Sequence, residues 1–487
     1  MVECEDLNRN ALEELVARPA INPISFQTLN VNRLDHIDLF FENQTEHYRY
    51  RLTVVDRPVL PTSNLIHASA VVLVPAGREG EYVFSSHKGL LQLAESANCA
   101  RVIAVAFGRH HTFESQTAVQ DELTYVVQAL SQQGRFLPPD LLKRHTGNLS
   151  IPFMALDGIG SRNVLAEGDT SVSGKYLIEQ VRAGDKIVRR LYFMSNPFVI
   201  QSEVAICKDV VNRSFLAFDY HKQMAAGILA LSSMNDVTPA GMVIGLGGGG
   251  LVNFLVHVLE NLHLTVVELD GSVVKIAEKY FGYEPTEKVS TRIGDGLTVT
   301  GDMEYVGGIH LPLSSLDFIA IDVDSKDTSV GMSCPPVTFV DHSYLSTLKG
   351  LLRENGLLVM NVSARDPEMF QLVETNVRKV FESVFLSSGD TDDERQDVNL
   401  VVFARVTSAE LPPKMQRHKM VQSYLKQFML LNDETSDWKE TLRELEDCLT
   451  SLCISLPTDN HHPREKATQR KKGNHKSGSG KKREKRK

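Results

Sequence analysis

The chain has 487 residues, 42% of them hydrophobic and 23% charged, with a formal net charge of -9. That is ordinary globular composition, rich enough in apolar residues to exclude a wholly disordered chain and long enough for two or three domains. Six scattered cysteines (Cys4, Cys99, Cys207, Cys334, Cys448 and Cys453) form no C-x-x-C pair, so neither a disulfide framework nor a metal site is expected, and a reducing compartment fits best.

The first residues, Met1-Val2-Glu3-Cys4-Glu5-Asp6, are acidic and lead into no apolar core. No secretory signal is read there, and a cytoplasmic location is expected. Residues 1–195 contain strand-like runs at Tyr50–Val55, Ala70–Val74 and Val102–Ala106, with short helical patterns at Leu90–Ala94 and Gln120–Leu130. Lys175–Val181 and Ile187–Met194 read as two strands joined across Gly184-Asp185, a dipeptide suited to a tight hairpin. This part has no glycine-rich phosphate or nucleoside loop, so it is expected to be an α+β region without a cofactor of its own.

From about residue 215 to 406 strand and helix alternate, the pattern of a parallel α/β sheet. Met242-Val243-Ile244 is a short apolar strand, followed by Gly245-Leu246-Gly247-Gly248-Gly249-Gly250 and a helical run, Leu251–Leu259. Thr265–Asp270 is a second strand ending in two acids, with Glu268 eighteen residues after Gly250. Strand, glycine turn, helix, strand and acid in that order suit a nucleoside cofactor. Glycines let the backbone approach it, a helix N-terminus faces it, and the acid binds ribose hydroxyls. Although apolar, residues 242–259 carry five glycines, Asn253 and His257, too short and interrupted for a membrane span, and no membrane association is expected.

Further strands are expected at Val289–Ile293, Leu316–Asp322, Leu357–Val362 and Val398–Ala404, and a helix at Pro367–Phe385. The polar residues at their ends are the candidate site, because ligands of such sheets gather at strand C-termini. Gly245, Gly247, Gly250, Glu268, Asp270 and Asp295 are the cofactor candidates. Asp295 suits an exocyclic amine, since an ionised carboxylate only accepts hydrogen bonds. Asp324, Asp322 and Asn361 are the catalytic candidates, able to hold an incoming amine in line with an electrophilic carbon.

Leu442, Leu445, Leu449, Leu452 and Leu456 repeat at a spacing that predicts a core-facing helix from Trp438 to Leu456. From Pro457 onward twelve Lys and Arg face three Asp and Glu, a net +9 on the tail against about -18 on the rest. Such a tail cannot bury enough to order itself and is expected to be disordered. Its Lys481–Lys487 end suits an RNA or ribosome contact or a nuclear address, or simply aids solubility.

The glycine loop, Val267-Glu268-Leu269-Asp270, Gly294-Asp295-Gly296 and Asp324-Ser325-Lys326-Asp327 resemble the spermidine-synthase-like branch of the class I S-adenosylmethionine-dependent methyltransferases. Tyr220-His221-Lys222-Gln223-Met224 resembles that branch's lead-in to the first strand. Asp322–Asp327, Gly331–Pro336 and Leu357–Val362 narrow the resemblance to the C-terminal half of the lysine and N-terminal methyltransferases of elongation factor 1-alpha, over roughly residues 45–456. The resemblance implies an α/β fold with a class I, Rossmann-like sheet of spermidine-synthase type over residues 196–456. It would follow the strand-rich 1–195 region and precede the tail at 457–487. It implies S-adenosyl-L-methionine as cofactor, elongation factor 1-alpha as protein partner, and methylation of that partner's α-amine. Members of the branch often dimerise, and the sheet-rich first part gives surface for a homodimer. The family's additional N-terminal domain, assigned to lysine methylation, has no counterpart among these 487 residues.

An α-amine acceptor suits the chemistry. Its pKa of about 7.7–8.0, against about 10.4 for lysine, makes deprotonation cheaper by roughly 3.5 kcal/mol, so no strong general base is needed. Three other readings share parts of the pattern. An aminopropyltransferase usually has Asp-Ser-Ser-Asp where this chain has Asp324-Ser325-Lys326-Asp327, and Lys326 would repel a polyamine. A nicotinamide-dependent dehydrogenase would want a hydride-transfer partner that is not evident. A non-catalytic binding module would leave the tail as the working part.

Overall fold

The period-two runs of the first half become two sheets. In the computed structural model, which describes residues 13, 24–31, 34–41, 47–60, 62–111, 113–132, 151–155, 162–196, 199–232, 238–302, 307–325, 331–364, 366–388, 398–408, 410, 412–430, 438–450 and 452–454, the first sheet has six strands. They are β1 (Ile24–Val31), β2 (Leu34–Phe41), β3 (Tyr50–Asp56), β4 (His67–Leu73), β5 (Cys99–Phe107) and β6 (Phe153–Ala155), in spatial order β1-β2-β3-β5-β4-β6. β4 runs parallel to β5, which requires a crossover. Helix α1 (His87–Ser96) supplies it, its start capped by the Ser86 side chain accepting from the Gly89 N–H.

Alternate residues of this sheet face opposite ways, so both faces are buried. Val71, Leu73, Ile103 and Val105 meet Leu123 and Val127 of helix α2 (Gln116–Gln132), while Ala70, Val72, Val102 and Ala104 meet Leu90 and Ala94 of α1. This double cover explains why β4 and β5 read as unbroken apolar runs.

The second sheet is antiparallel: β7 (Arg162–Thr170), β8 (Gly174–Ala183), β9 (Lys186–Phe193), β10 (Ser202–Cys207) and β11 (Val210–Val211). Gly184-Asp185 makes the expected two-residue turn, with Ala183 paired to Lys186 and Gly184 at φ +63°. The sheet does not stop at residue 195, where the sequence suggested a border. β10 pairs with β9 from Ser202↔Leu191 to Ile206↔Ile187, so the ladder carries the unit on to Val211. Its Ile178, Leu191, Phe193, Val204 and Ile206 pack on Val273, Ile276 and Phe281, which tie it to the third unit.

That unit holds β12 (Ala240–Ile244), β13 (His263–Glu268), β14 (Val289–Ile293), the small pair β15 (Val299–Thr300) and β16 (Ile309–His310), then β17 (Leu316–Ile321), β18 (Met332–Cys334), β19 (Leu352–Ala364), β20 (Ser383–Ser388), β21 (Val398–Arg405) and β22 (Cys453–Ile454). The main order is β14-β13-β12-β17-β19-β21-β20-β22. Strands β14, β13, β12, β17 and β19 are mutually parallel, and β21 is antiparallel to both its neighbours. This is the Rossmann-like sheet expected from the sequence, wound outward from β12 in both directions. The chain reverses its winding between β12 and β17, and the crevice beyond their C-terminal ends is the place for a ligand.

Helices cover both faces. α3 (Asp219–Leu231), α4 (Gly250–Val258) and α9 (Trp438–Thr450) share a core with Val243, Val266, Phe318 and Val359, joined by Val421 and Leu425 of α8 (Lys414–Leu430). Helices α6 (His342–Leu351) and α7 (Pro367–Val380) bury Met242, Val267, Ile319 and Leu358 on the other side. Helix α5 (Gly271–Tyr280) follows β13.

The helix expected through Phe385 ends at Val380. Val384 and Phe385 enter opposite cores, a period of two that makes β20 a strand. Leu445 and Leu449 are buried with Trp438, so the leucine stripe faces the core as expected. The helix read to Leu456 ends at Thr450, however, and Cys453–Ile454 instead pairs with β20 as strand β22. Leu456, Lys326, Asp327 and the tail lie outside the described residues. No described helix is long and apolar enough to cross a membrane.

Candidate cofactor and acceptor site

The glycine loop lies at the C-terminal end of β12. Gly245, Gly247 and Gly249 have φ of +92°, +53° and +79°, the left-handed region that side chains rarely tolerate. A Cβ on Gly245 would also sit 2.1 Å from the Asp322 carbonyl oxygen, so the loop and the end of β17 touch through bare backbone. Gly249 precedes α4 with no side-chain cap, and a Cβ on Gly250 would meet nothing within 4 Å. The uncapped N-terminus of α4, with room beside Gly250, suits an electron-rich ligand. Gln201 and Ser202 at the start of β10 brace the loop: the Gly248 N–H donates to Ser202 Oγ at 2.8 Å, and that hydroxyl donates to Gln201 Oε1 at 2.6 Å.

Glu268 ends β13, buried to 9% exposure. Its carboxylate accepts from the Leu246 N–H and the Asp270 N–H, both at 2.9 Å, so it fixes the glycine loop against its own strand tip. Each carboxylate oxygen keeps a second lone pair, and two hydroxyls can still donate to it. Asp295, after β14, is exposed and caps a single 3₁₀ turn by accepting from the Leu297 N–H at 2.9 Å. Between these two acids stand exposed aliphatic side chains, Leu269 and Ile293, which suit the faces of a flat base.

Asp270 serves a different purpose from the one its position suggested. It is buried and caps α5 through the Ser272 N–H at 2.9 Å, while its other oxygen accepts from the Ser173 N–H in the β7–β8 turn at 2.9 Å. Burial pushes its pKa up, but hydrogen bonds from Thr170, Ser272 and Ser173 outweigh that and bring it down to about 2. It clasps the second sheet to the third.

At the end of β17, Asp322 is held from two sides. His221 Nε2 lies 2.8 Å from Oδ2, and Asn361 Nδ2 donates to Oδ1 at 3.0 Å. Asn361 is buried at 4% exposure in β19, and its Oδ1 has no hydrogen-bond partner among the described residues. A buried acceptor left open costs about 1–3 kcal/mol, so this oxygen suits a donor on a bound ligand. Tyr220 stands beside them. Burial, with the nearby Asp322, Cys334 and Asp324 adding to it, holds its phenol well above its ordinary pKa and keeps it neutral. Asp324 is exposed two residues further on.

Asp322, Asn361 and Asp324 therefore gather at one edge, and His221 joins them although no role was read for it. Its signal was the Tyr-His-x-x-Met stretch, which now proves to place α3 so that His221 reaches Asp322. Among the described residues no cluster of three or more His, Cys, Asp or Glu side chains is placed to hold a metal ion.

No family model matches the chain. It is 34% identical over 369 residues to the eEF1A lysine and N-terminal methyltransferase of Danio rerio, covering 69% of this chain and 51% of that protein. To the Homo sapiens protein of the same name it is 32% identical over 380 residues, 71% of this chain and 52% of the relative. The chain is a homologue of these methyltransferases. It spans about half the length of the curated relatives it matches. Among solved structures, human methyltransferase-like protein 13 in complex with SAH aligns at 25% identity, covering 51% of this chain and 97% of that one, with a TM-score of 0.37.

Proposed function

We propose that this chain is a methyltransferase that uses S-adenosyl-L-methionine to methylate the α-amine of elongation factor 1-alpha, in the cytoplasm. The homology supports the reaction class and the partner, and one observation carries an amine as the acceptor: the buried Asn361 Oδ1, open to a donor beside an aspartate held in place. The lower pKa of an α-amine favours it over lysine. The cofactor fits the residues present. The bare loop at Gly245 and Gly247 and the open approach at Gly250 admit it, Glu268 suits the ribose, and Asp295 suits an exocyclic amine. When bound, S-adenosylmethionine supplies a methyl group on a positively charged sulfur.

The chain's own residues position the nitrogen. A neutral primary amine has two N–H donors and one lone pair. Asn361 Oδ1 and a carboxylate of the Asp322–Asp324 turn accept the two N–H bonds, which leaves the lone pair free to point along the transfer axis. His221 and Asn361 restrain Asp322, so little ordering remains to be done when the substrate arrives. The same oxygens would stabilise the positive charge that the nitrogen acquires on methylation. The proton that must leave beforehand comes off an α-ammonium near neutral pH.

Incubation with methyl-labelled S-adenosylmethionine and elongation factor 1-alpha, followed by peptide mapping, tests the proposal. Label on the N-terminal residue is expected. Label on an interior lysine, or an added aminopropyl group, would refute it.

A further inference from the structure

A cavity of about 1090 Å³ lies between the first and second sheets, apart from the glycine loop. We infer that it receives the polypeptide segment that follows the methylated residue of the protein substrate, so that the two N-terminal sheets act as a substrate-docking unit. The inference rests on the proposed function and says how that site finds its partner.

Location is the first support. Phe218 forms part of the cavity wall and contacts Tyr220 and His221, with ring centroids 5.5 and 5.6 Å away. His221 is bonded to Asp322, so the cavity begins one side chain from the group that orients the acceptor. A chain whose amine lies at Asp322 need extend only a few residues to enter it, at about 3.3 Å per residue.

The wall chemistry is the second support. Arg109 lies over the Tyr192 ring at 3.9 Å and Arg51 over Tyr48 at 4.5 Å. Tyrosine and arginine are the residue types that dominate protein-recognition energy. The guanidiniums are already compensated: Arg51 pairs with Asp38 at 2.6 Å, Arg190 with Glu203 at 2.5 Å, and Arg162 with Glu79 at 2.7 Å and Glu179 at 2.9 Å. A nucleic acid or nucleotide requires uncompensated positive charge. This wall offers flat faces and charges of both signs, which suit a peptide. In addition, β7 is the edge of its sheet, and its Glu167–Asp169 stretch lines the cavity. An extended chain can add to such an edge through backbone hydrogen bonds.

Gly80 provides the test. It lines the cavity, and a Cβ there would meet nothing within 4 Å, so Gly80→Trp projects a large ring into the open space. The full chain and this variant are assayed with an N-terminal tripeptide of elongation factor 1-alpha and with a peptide of roughly fifteen residues, long enough to cross the cavity. The parent should show a lower KM for the longer peptide. Gly80→Trp should raise that KM about tenfold while leaving tripeptide turnover and S-adenosylmethionine affinity unchanged. If the variant melts early, Glu167→Lys on the exposed part of the wall should give the same pattern. An active parent that treats both peptides alike, or a folded Gly80→Trp with an unmoved KM, would overturn the docking role alone. A parent inactive on both peptides would instead remove the proposed function on which it rests.

Discussion

Glu268, Asp324 and Asp270 are all acids near strand ends, yet their surroundings give them different work. Glu268→Ala removes an acceptor from two backbone N–H groups and, on the proposed reading, from two ribose hydroxyls. Hydrogen bonds to a charged group are worth about 1.5–3 kcal/mol each, so cofactor affinity should fall at least about tenfold by calorimetry. A variant that binds as tightly as the parent would contradict the assignment. Asp324→Ala should lower kcat far more than cofactor affinity, and Asp324→Asn, which keeps one acceptor, should retain more activity. Parent-like turnover by Asp324→Ala would remove that residue from the mechanism. Asp270→Ala should instead cost about 1–2 kcal/mol of stability, as loss of a helix cap does. The Asp270 pKa is depressed to about 2, so its contribution is present above the ordinary carboxylate range and is lost as pH falls through about 2. The melting-temperature gap between parent and variant should therefore narrow toward pH 2; a gap constant with pH would contradict the clasp. Sequence could place these acids at strand ends but could not separate them. Asp270 is distinguished by Ser173, 97 residues away, and Asp322 by His221, 101 residues away.

At the scale of elements, local pattern was enough wherever one strand or turn decided its own shape. The Gly184-Asp185 hairpin, β14 and the leucine-striped α9 follow from spacing and turn chemistry alone. The end of α7 did not, because Val384 and Phe385 look helical until the two cores on either side of β20 are known. The glycine loop joins both kinds of information. Its glycines were legible as a turn, but contact with the Asp322 carbonyl explains why Gly245 admits no substitute. Gly245→Ala should strain φ and force the loop off β17, lowering stability by more than about 1 kcal/mol and weakening cofactor binding as well. Thermal melts and calorimetry on the same preparation would show both; a variant equal to the parent in each would mean the loop is not held as described.

For the whole molecule, the α/β order of residues 240–405 was readable because a parallel sheet announces itself through alternating strands and helices. The division of the first half into a double-covered sheet and an antiparallel one was not readable, since both are runs of short strands and only pairing separates them. The basic tail lies outside every motif read from the sequence, so removing everything after Leu456 should leave methylation of a short peptide nearly unchanged. Any binding of RNA or ribosomes by the tail should fall steeply with salt, and a collapse of peptide turnover on truncation would place the tail in catalysis. The central proposal is that the acceptor is an α-amine held by its N–H bonds at Asn361 and the Asp322–Asp324 turn. Mass spectrometry of three peptides after incubation with S-adenosylmethionine tests it most directly: an N-terminal peptide of elongation factor 1-alpha, the same peptide N-acetylated, and one whose only amine is on lysine. Methyl groups on the first alone are expected, with later additions slower as each removes an N–H that the oxygens hold; methylation of the acetylated or lysine-only peptide would contradict it.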